Sequence, residues 1–335
     1  MATVREAIQV VEAGYEAGVP VILVGSPGIG KSAAVKAVAA KRGIGLKVFE
    51  APSLDPTDVR GFLVKAEDGR AIFTKSPLMP SEEDGHEGIL LIDEISSAIP
   101  DVQVALHALF HPDDRRLGEH KLPDGWIPMA TGNRVEDSAG ARHLLSALRN
   151  RCILIEVTPN LDEWIEDFAI PSGEVTKEVI GFLTFNRAKF VHYTDGASAT
   201  PRTWHLLSKM MKVTPKENLH EVASGLVGAG VAFEFITYLE VYGKLPSPQD
   251  FIEGKVEFPP ADELSLRYAL TTSVADYVRN NRKKDAVKAF QRLAAVKDAM
   301  EFILLYVRMT KEFLPEYQRL SEFREIAHQI LVGGA

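Results

Sequence analysis

Short runs of aliphatic residues recur through the first half of the chain, and longer helical stretches separate them. The runs are Val19–Gly25, Leu46–Ala51, Gly88–Glu94, Trp126–Asn133 and Arg151–Val157. Apolar runs of this length, alternating with helical connections, are typical of a mostly parallel sheet with helices on both faces. The first half of the chain is therefore predicted to have an α/β fold.

The pattern changes at about Pro159, where the strand-like runs stop. Beyond this point, helical periodicity is strongest over residues 217–242 and 264–332, and prolines and glycines separate the helical stretches. The second half of the chain is therefore predicted to be all-helical.

Two short hairpins are expected as insertions into the α/β pattern. Residues 61–74 contain two short apolar segments joined by Asp68-Gly69, a dipeptide that favours a tight turn between antiparallel strands. Residues 115–125 indicate a second hairpin, directly before the run that begins at Trp126.

Composition and charge narrow the class of protein. The chain has 46% hydrophobic and 25% charged residues, which is close to the average for soluble globular proteins. A formal net charge of -8 argues against the broad basic surface that sequence-independent nucleic-acid binding requires. A local basic stripe is still compatible with this net charge. There is no run near the roughly 20 apolar residues that span a bilayer, no secretory signal pattern, and one cysteine, Cys152. We expect a cytoplasmic protein without a membrane segment.

The stretch from Gly25 to Ser32 has the pattern of a phosphate-binding loop. Its sequence, GSPGIGKS, matches G-x-x-x-x-G-K-[ST] and lies between a predicted strand and a predicted helix. Glycines let backbone N–H groups close around phosphate oxygens, and the helix N-terminus adds partial positive charge. In such loops the lysine contacts the β- and γ-phosphates and the hydroxyl ligates Mg²⁺. The predicted nucleotide-binding residues are Gly25, Ser26, Pro27, Gly28, Ile29, Gly30, Lys31, Ser32 and Ala33.

An acidic pair, Asp93 and Glu94, ends the apolar run that begins at Gly88. Ligands of α/β sheets bind beyond the carboxyl ends of the strands, so this pair is expected to face the phosphate loop. One carboxylate suits Mg²⁺ binding, and a second suits deprotonation of an attacking water. We predict that Asp93 holds Mg²⁺ with Ser32 and that Glu94 is the catalytic base, which indicates hydrolysis of ATP.

In this order along the chain, the motifs resemble those of AAA+ ATPases, and specifically those of the MoxR family. The resemblance is strong over residues 1–158, moderate over 159–245 and absent from 246–335. It implies a P-loop nucleotide-binding domain over 1–158 with a five-stranded parallel sheet in the order 5-1-4-3-2. It further implies an all-α lid over 159–245, followed here by a helical extension over 246–335.

Four further site residues are identified through this resemblance. Asn133 corresponds to the sensor-1 residue, which holds the attacking water or the γ-phosphate. Arg151, with Arg149 as an alternative, corresponds to the arginine finger, which acts on the nucleotide of a neighbouring subunit. Cys152 stands where the family commonly has phenylalanine. Arg202 corresponds to the sensor-2 residue of the lid, which contacts the γ-phosphate.

Two loop features favour the MoxR family within the AAA+ proteins. The string LDPTDVRG, from Leu54 to Gly61, resembles the family pattern before the helix-2 insert. The predicted hairpin at 115–125 resembles the hairpin before sensor 1. In related rings these loops line the central pore.

The resemblance implies a ring of identical subunits, expected to be a hexamer, that uses ATP and Mg²⁺ to remodel a protein client. It also implies a von Willebrand A-domain protein as partner. Two alternatives stay open. A nucleic-acid-stimulated motor on the same core would use Arg115, Arg116 and Lys121 of the second hairpin, and a nucleotide-gated scaffold would bind ATP without useful turnover.

Overall fold

Alternate residues of the central strands pack on opposite faces of a five-stranded sheet. Ile22 of the first strand and Leu90 of the fifth belong to one hydrophobic cluster, whereas Leu23 and Leu91 belong to another. The computed structural model describes residues 1–137, 140–144, 146–194, 196–280 and 283–333. The strands are β1 Val21–Val24, β2 Gly45–Glu50, β3 Leu63–Lys65, β4 Ala71–Phe73, β5 Gly88–Asp93, β6 Arg116–Leu117, β7 His120–Lys121, β8 Trp126–Gly132 and β9 Ile153–Glu156.

The order of strands in this sheet is β2-β5-β8-β1-β9, and every neighbouring pair is parallel. When the five sheet strands are numbered along the chain, this is the predicted order 5-1-4-3-2 read from the opposite edge. The predicted P-loop sheet is therefore confirmed. The ends of β1, β5 and β8 lie together at the carboxyl edge of the sheet. The phosphate loop follows β1, Glu94 follows β5 and Asn133 follows β8.

Both predicted hairpins are present beside this sheet. Strands β3 and β4 pair antiparallel, with Leu63 opposite Phe73, and β6 pairs with β7. Gly61 begins the first hairpin with φ at +89°, and a Cβ there would lie 1.9 Å from the carbonyl oxygen of Thr74. Because no side chain fits at that distance, the base of the hairpin requires glycine.

The helices of the first part of the chain flank the sheet or its insertions. They are α1 Val4–Ala17, α2 Lys31–Arg42, α3 Pro56–Arg60, α4 Pro100–Leu106 and α5 Ser146–Arg149. Thr3 caps α1 in a reciprocal arrangement with Glu6, which satisfies two backbone donors at the start of the helix. Helix α2 begins directly at Lys31, so its N-terminus opens onto the phosphate loop.

The chain divides into two compact units, Met1–Asn160 and Leu161–Ala335. Among its described residues, the second unit consists of helices joined by turns and loops, with one isolated bridge between His192 and Ala199. Its helices are α6 Leu161–Trp164, α7 Ile170–Ser172, α8 Lys177–Phe185, α9 Pro201–Met211, α10 Leu219–Val227, α11 Ala229–Tyr242, α12 Pro248–Glu253, α13 Leu264–Asn280, α14 Ala286–Ala294, α15 Met300–Met309, α16 Leu314–Tyr317 and α17 Ser321–Gly333. A π-helical turn, Ile165–Ala169, lies between α6 and α7. The predicted all-helical second half is confirmed.

Aromatic side chains build the core of the second unit. The rings of Phe182, Trp204 and Phe235 pack with centroids 5.2 to 5.7 Å apart, and all three are buried. Residues before and after position 245 share one hydrophobic cluster. The division into a lid over 159–245 and an extension over 246–335 remains a prediction. Within the described residues, there is no helix with both the length and the apolar character to span a membrane.

Candidate nucleotide-binding site

The phosphate loop connects β1 to α2 through six residues. Gly28 and Gly30 both have left-handed backbone, with φ at +76° and +108°. Other residues adopt this conformation at a cost, so the glycines allow the chain to turn sharply into the helix. The predicted loop residues lie together, from Gly25 at the end of the strand to Ala33 in the first turn of α2.

Lys31 lies folded back against this loop. The side chain is only 7% exposed, and its Nζ donates to the carbonyl oxygens of Gly25 at 2.8 Å and Ser26 at 2.7 Å. It also donates to Oδ1 of Asn133 at 2.9 Å. An ammonium group has three N–H donors, and these three acceptors match that number. Lys31 therefore joins the phosphate loop to the end of β8.

Asp93 is the centre of a second set of hydrogen bonds. Its Oδ1 accepts from the hydroxyl of Ser32 at 2.7 Å and from the hydroxyl of Thr131. The Thr131 hydroxyl in turn accepts from the backbone N–H of Glu94 at 3.2 Å. Thr131 is fully buried, and the sequence analysis did not identify it. The predicted Mg²⁺ pair, Ser32 and Asp93, is thus in direct contact, and Mg²⁺ prefers oxygen ligands of this kind.

Glu94 has a left-handed backbone conformation, with φ at 56° and ψ at 37°. Such a conformation is uncommon for a residue with a long side chain. The side chain is exposed, and its carboxylate has no hydrogen-bond partner among the residues that the structure describes. Glu94 is therefore available to bind water at the carboxyl edge of the sheet.

Asn133 is held in place from the opposite side by Ser96. Its backbone N–H donates to the hydroxyl of Ser96 at 2.8 Å, and both side chains are buried. Because Ser96 follows the acidic pair closely in the chain, this bond links the loops after β5 and β8. The structure thus places two hydrogen-bonded pairs, Lys31 with Asn133 and Ser32 with Asp93, at the same edge of the sheet.

A group that the sequence analysis missed surrounds Ser26. The Ser26 hydroxyl donates to Oδ2 of Asp137 at 2.7 Å and accepts from Nη2 of Arg134 at 2.5 Å. Arg134 also donates through Nε to Asp137 at 2.5 Å and through Nη1 to Glu156 at 3.0 Å. Bonding to Asp137 and then to Glu156 raises the pKa of Arg134. The only sequence signal was the position of Arg134 directly after Asn133.

The two candidate arginine fingers have different surroundings. Nη1 of Arg151 lies 3.3 Å from both the backbone oxygen and Nδ1 of His107. Arg149, at the end of α5, is exposed. Among the described residues, neither side chain bonds to the phosphate loop of its own chain. Burial raises the pKa of the neighbouring Cys152 thiol to about 12, so this thiol stays protonated at neutral pH.

Arg202 lies in the second unit, in the first turn of α9. The helix begins after Thr200, whose hydroxyl accepts from the backbone N–H of Thr203 at 3.2 Å. The Arg202 side chain is exposed. Its predicted role as sensor 2 stays a prediction. Among the described residues, no cluster of three or more histidine, cysteine or acidic side chains could hold a metal ion.

Comparison with known proteins shows what the chain is similar to. Solved structures with low identity align to it, among them NtrX from Brucella abortus, with 14% identity over 92% of this chain and 67% of that chain and a TM-score of 0.42. The complex of NtrX with ADP aligns with 14% identity over 99% and 68%, at a TM-score of 0.39. The RuvB Holliday junction branch migration motor of Thermotoga maritima aligns with 17% identity over 85% and 86%, at a TM-score of 0.38. At these values the structural likeness carries no functional argument.

No curated protein matches the chain in sequence. A family model does match residues 20–152, which is less than half of the chain but includes the phosphate loop, the acidic pair, Asn133, Arg149 and Arg151. The nucleotide-binding part of this chain is thus similar to the AAA domain of the dynein-related subfamily.

Proposed function

We propose that this chain is an AAA+ ATPase, which hydrolyses ATP to ADP and phosphate. The observation that carries the proposal is the pair of hydrogen bonds, from Lys31 to Asn133 and from Ser32 to Asp93, at the carboxyl edge of the sheet. Glu94 lies at the same edge with an available carboxylate. This combination supplies a phosphate-binding cation, a candidate base for water and an amide to hold the water or the γ-phosphate.

Each residue has a distinct role in this reaction. On binding, the phosphates replace the carbonyl oxygens of Gly25 and Ser26 as partners of Lys31. Glu94 takes a proton from the attacking water, and Asn133 orients that water against the γ-phosphate. Ser32 and Asp93 would hold Mg²⁺, which neutralises phosphate charge when it is bound.

The site is proposed to be completed by a second subunit. Arg151, or Arg149 in its place, would reach the nucleotide of the neighbouring subunit in a ring, expected to be a hexamer. A guanidinium there offers a fixed positive charge to the transferred phosphoryl group. Arg202 would contact the γ-phosphate from the lid and convert its loss into movement of the lid.

The proposed biological work is remodelling of a protein client in the cytoplasm by a MoxR-type ring, with a von Willebrand A-domain protein as partner. The first hairpin supports contact with a client, because Phe62 and Leu63 are 61% and 62% exposed. Exposed large apolar side chains that cluster on one element are typical of interaction surfaces.

The alternative of a nucleic-acid motor has less support from the second hairpin. Arg115 donates to the carbonyl oxygen of Gly18, Arg116 pairs with Asp114 at 2.7 Å, and Lys121 pairs with Asp124 at 3.2 Å. All three basic side chains therefore have partners within the chain. ATPase turnover that rises with DNA and falls steeply with salt would favour this alternative instead.

The Glu94→Gln substitution tests the proposed reaction. We expect ATP turnover to fall by at least about 100-fold, because the glutamine amide cannot accept the proton. Binding of ADP with Mg²⁺, measured by calorimetry, should be retained. Glu50→Gln is the matched control, because Glu50 is an exposed carboxylate that ends the neighbouring strand β2, opposite Asp93.

Three outcomes decide between the functions. If Glu94→Gln hydrolyses ATP as fast as the parent does, Glu94 is not the catalytic base. A parent that binds ADP but shows no turnover favours the nucleotide-gated scaffold. A parent that binds neither ADP nor ATP contradicts the proposal as a whole.

A further inference from the structure

Ser26 links the phosphate loop to the segment that follows Asn133. Its carbonyl oxygen accepts from Lys31, and its hydroxyl bonds to both Arg134 and Asp137. Ser26 itself is 5% exposed, and the side chains of Asp137 and Arg134 are 18% and 35% exposed, so these bonds are partly buried. The loop after β8 therefore contacts the phosphate loop at two points, through Asn133 at Lys31 and through Arg134 and Asp137 at Ser26.

The two points of contact respond differently to a nucleotide. According to the proposed function, on which this inference rests, Lys31 leaves the carbonyl oxygens of the loop when it binds phosphate. The bonds to the Ser26 hydroxyl need not change, because they involve neither Lys31 nor the backbone N–H groups of the loop. They can therefore hold the loop in shape while its lysine changes partners.

We propose that Arg134 and Asp137 are positioning residues that clamp the phosphate loop, through the Ser26 hydroxyl, in the conformation that binds nucleotide. The forked guanidinium suits this task, because it reaches Ser26 and Asp137 at the same time. A loop already held in its binding conformation loses less conformational entropy when the phosphates arrive. The clamp thus acts on nucleotide affinity and not on the reacting atoms.

Arg134→Gln tests the clamp in the full-length chain, with ADP and Mg²⁺ as the probe. Losing a charge-assisted bond to a buried hydroxyl is expected to raise the Kd for ADP by about tenfold. The kcat at saturating ATP should stay within about twofold of the parent, whereas KM rises with Kd. Arg134→Lys keeps the charge but not the fork, so it should recover only part of the affinity.

A double-mutant cycle separates the clamp from a general effect on stability. Ser26→Ala and Arg134→Gln remove the same bond, so the double variant should bind ADP no more weakly than the weaker of the two single variants. Glu156→Gln is the control, because its bond to Arg134 is an exposed ion pair, with Glu156 44% exposed. Such pairs contribute little, so its Kd should match that of the parent.

Asp137→Asn gives a second, independent reading should Arg134→Gln fold poorly. A Kd within about twofold of the parent in either folded variant overturns the clamp, as does a fall in kcat at unchanged Kd. If the parent itself binds no ADP, the proposed function fails; if the parent binds ADP and the variants bind it equally well, only the clamp fails.

Discussion

At the scale of single residues, the charge of Lys31 is solvated by acceptors of the protein itself. Its ammonium group is nearly buried and uses two carbonyl oxygens and the Asn133 amide as acceptors. A buried charge without partners would cost several kcal/mol, so these bonds offset the cost of burying the ammonium group. In the proposed reaction, phosphate replaces the two carbonyl oxygens, so the affinity for nucleotide would be the difference between the bonds lost and the bonds formed.

His107 makes the stability of the first unit depend on pH. Burial, then the charge of Arg151 and then His111 lower the pKa of His107 below its usual value. The unfolded chain therefore binds a proton more readily, and the free energy of unfolding falls as the pH drops through about 6.5 towards the folded pKa. Urea unfolding at pH 7.5 and at pH 5.5 measures this change. We expect the free energy of unfolding to decrease less between the two pH values in His107→Gln than in the parent.

The control for this measurement is His86→Gln, because His86 is exposed. It should keep the full decline of the parent. An unchanged decline in His107→Gln would show that other groups carry the pH dependence.

At the scale of elements, the first hairpin depends on one close approach. Gly61→Ala places a methyl group against the Thr74 carbonyl oxygen, whereas Gly69→Ala places one in open space. Both glycines have positive φ, at +89° and +83°, so both substitutions cost backbone energy. Only Gly61→Ala adds the clash. We expect it to destabilise pairing of β3 with β4 by about 2 kcal/mol more than Gly69→Ala.

Hydrogen exchange of the β3 and β4 amides measures this difference directly. Faster exchange confined to Gly61→Ala would support the close approach. Equal exchange in the two variants would mean that the hairpin shifts to make room at no cost.

The elements that the sequence predicted are those with a strong local signal. The five sheet strands follow from nearly unbroken aliphatic runs, and the first hairpin follows from Asp68-Gly69 at its turn. Boundaries shifted by one or two residues, as at β9, which begins at Ile153 and not at Arg151. The register between strands has no local signal, because it is set by packing across the sheet.

The order of the strands in the sheet explains which site residues could not be found from the sequence. Thr131 reaches Asp93 only because β8 lies beside β5. Arg134 reaches Ser26 only because β8 also lies beside β1. Lys31 and Ser32, by contrast, belong to a motif of eight consecutive residues, so the sequence pattern alone predicts them as site residues.

At the scale of the whole molecule, the proposed ring predicts that catalysis is shared between subunits. Arg151→Ala and Glu94→Gln should each be inactive alone. When they are mixed in equal amounts, about a quarter of the interfaces combine an intact Glu94 with an intact Arg151, if subunits associate at random. We therefore expect mixing to restore up to about a quarter of the parental ATPase activity.

Mixing Arg149→Ala with Glu94→Gln is the parallel measurement for the other arginine. One arginine variant should regain ATPase activity when it is mixed with Glu94→Gln, and the other should be fully active alone. The arginine replaced in the rescued variant is then the arginine finger. Absence of rescue at every ratio, for both arginines, would contradict a site shared between subunits.

The left-handed backbone at Glu94 means that the residue best for stability at this position differs from the residue that the proposed reaction needs. This conformation costs a non-glycine residue roughly 1 kcal/mol, and asparagine or glycine tolerates it better. Replacing the proposed base by asparagine would therefore make the fold more stable while removing hydrolysis. Laboratory evolution that rewards heat resistance alone would accumulate such changes at position 94, and so would a lineage that had stopped using the reaction.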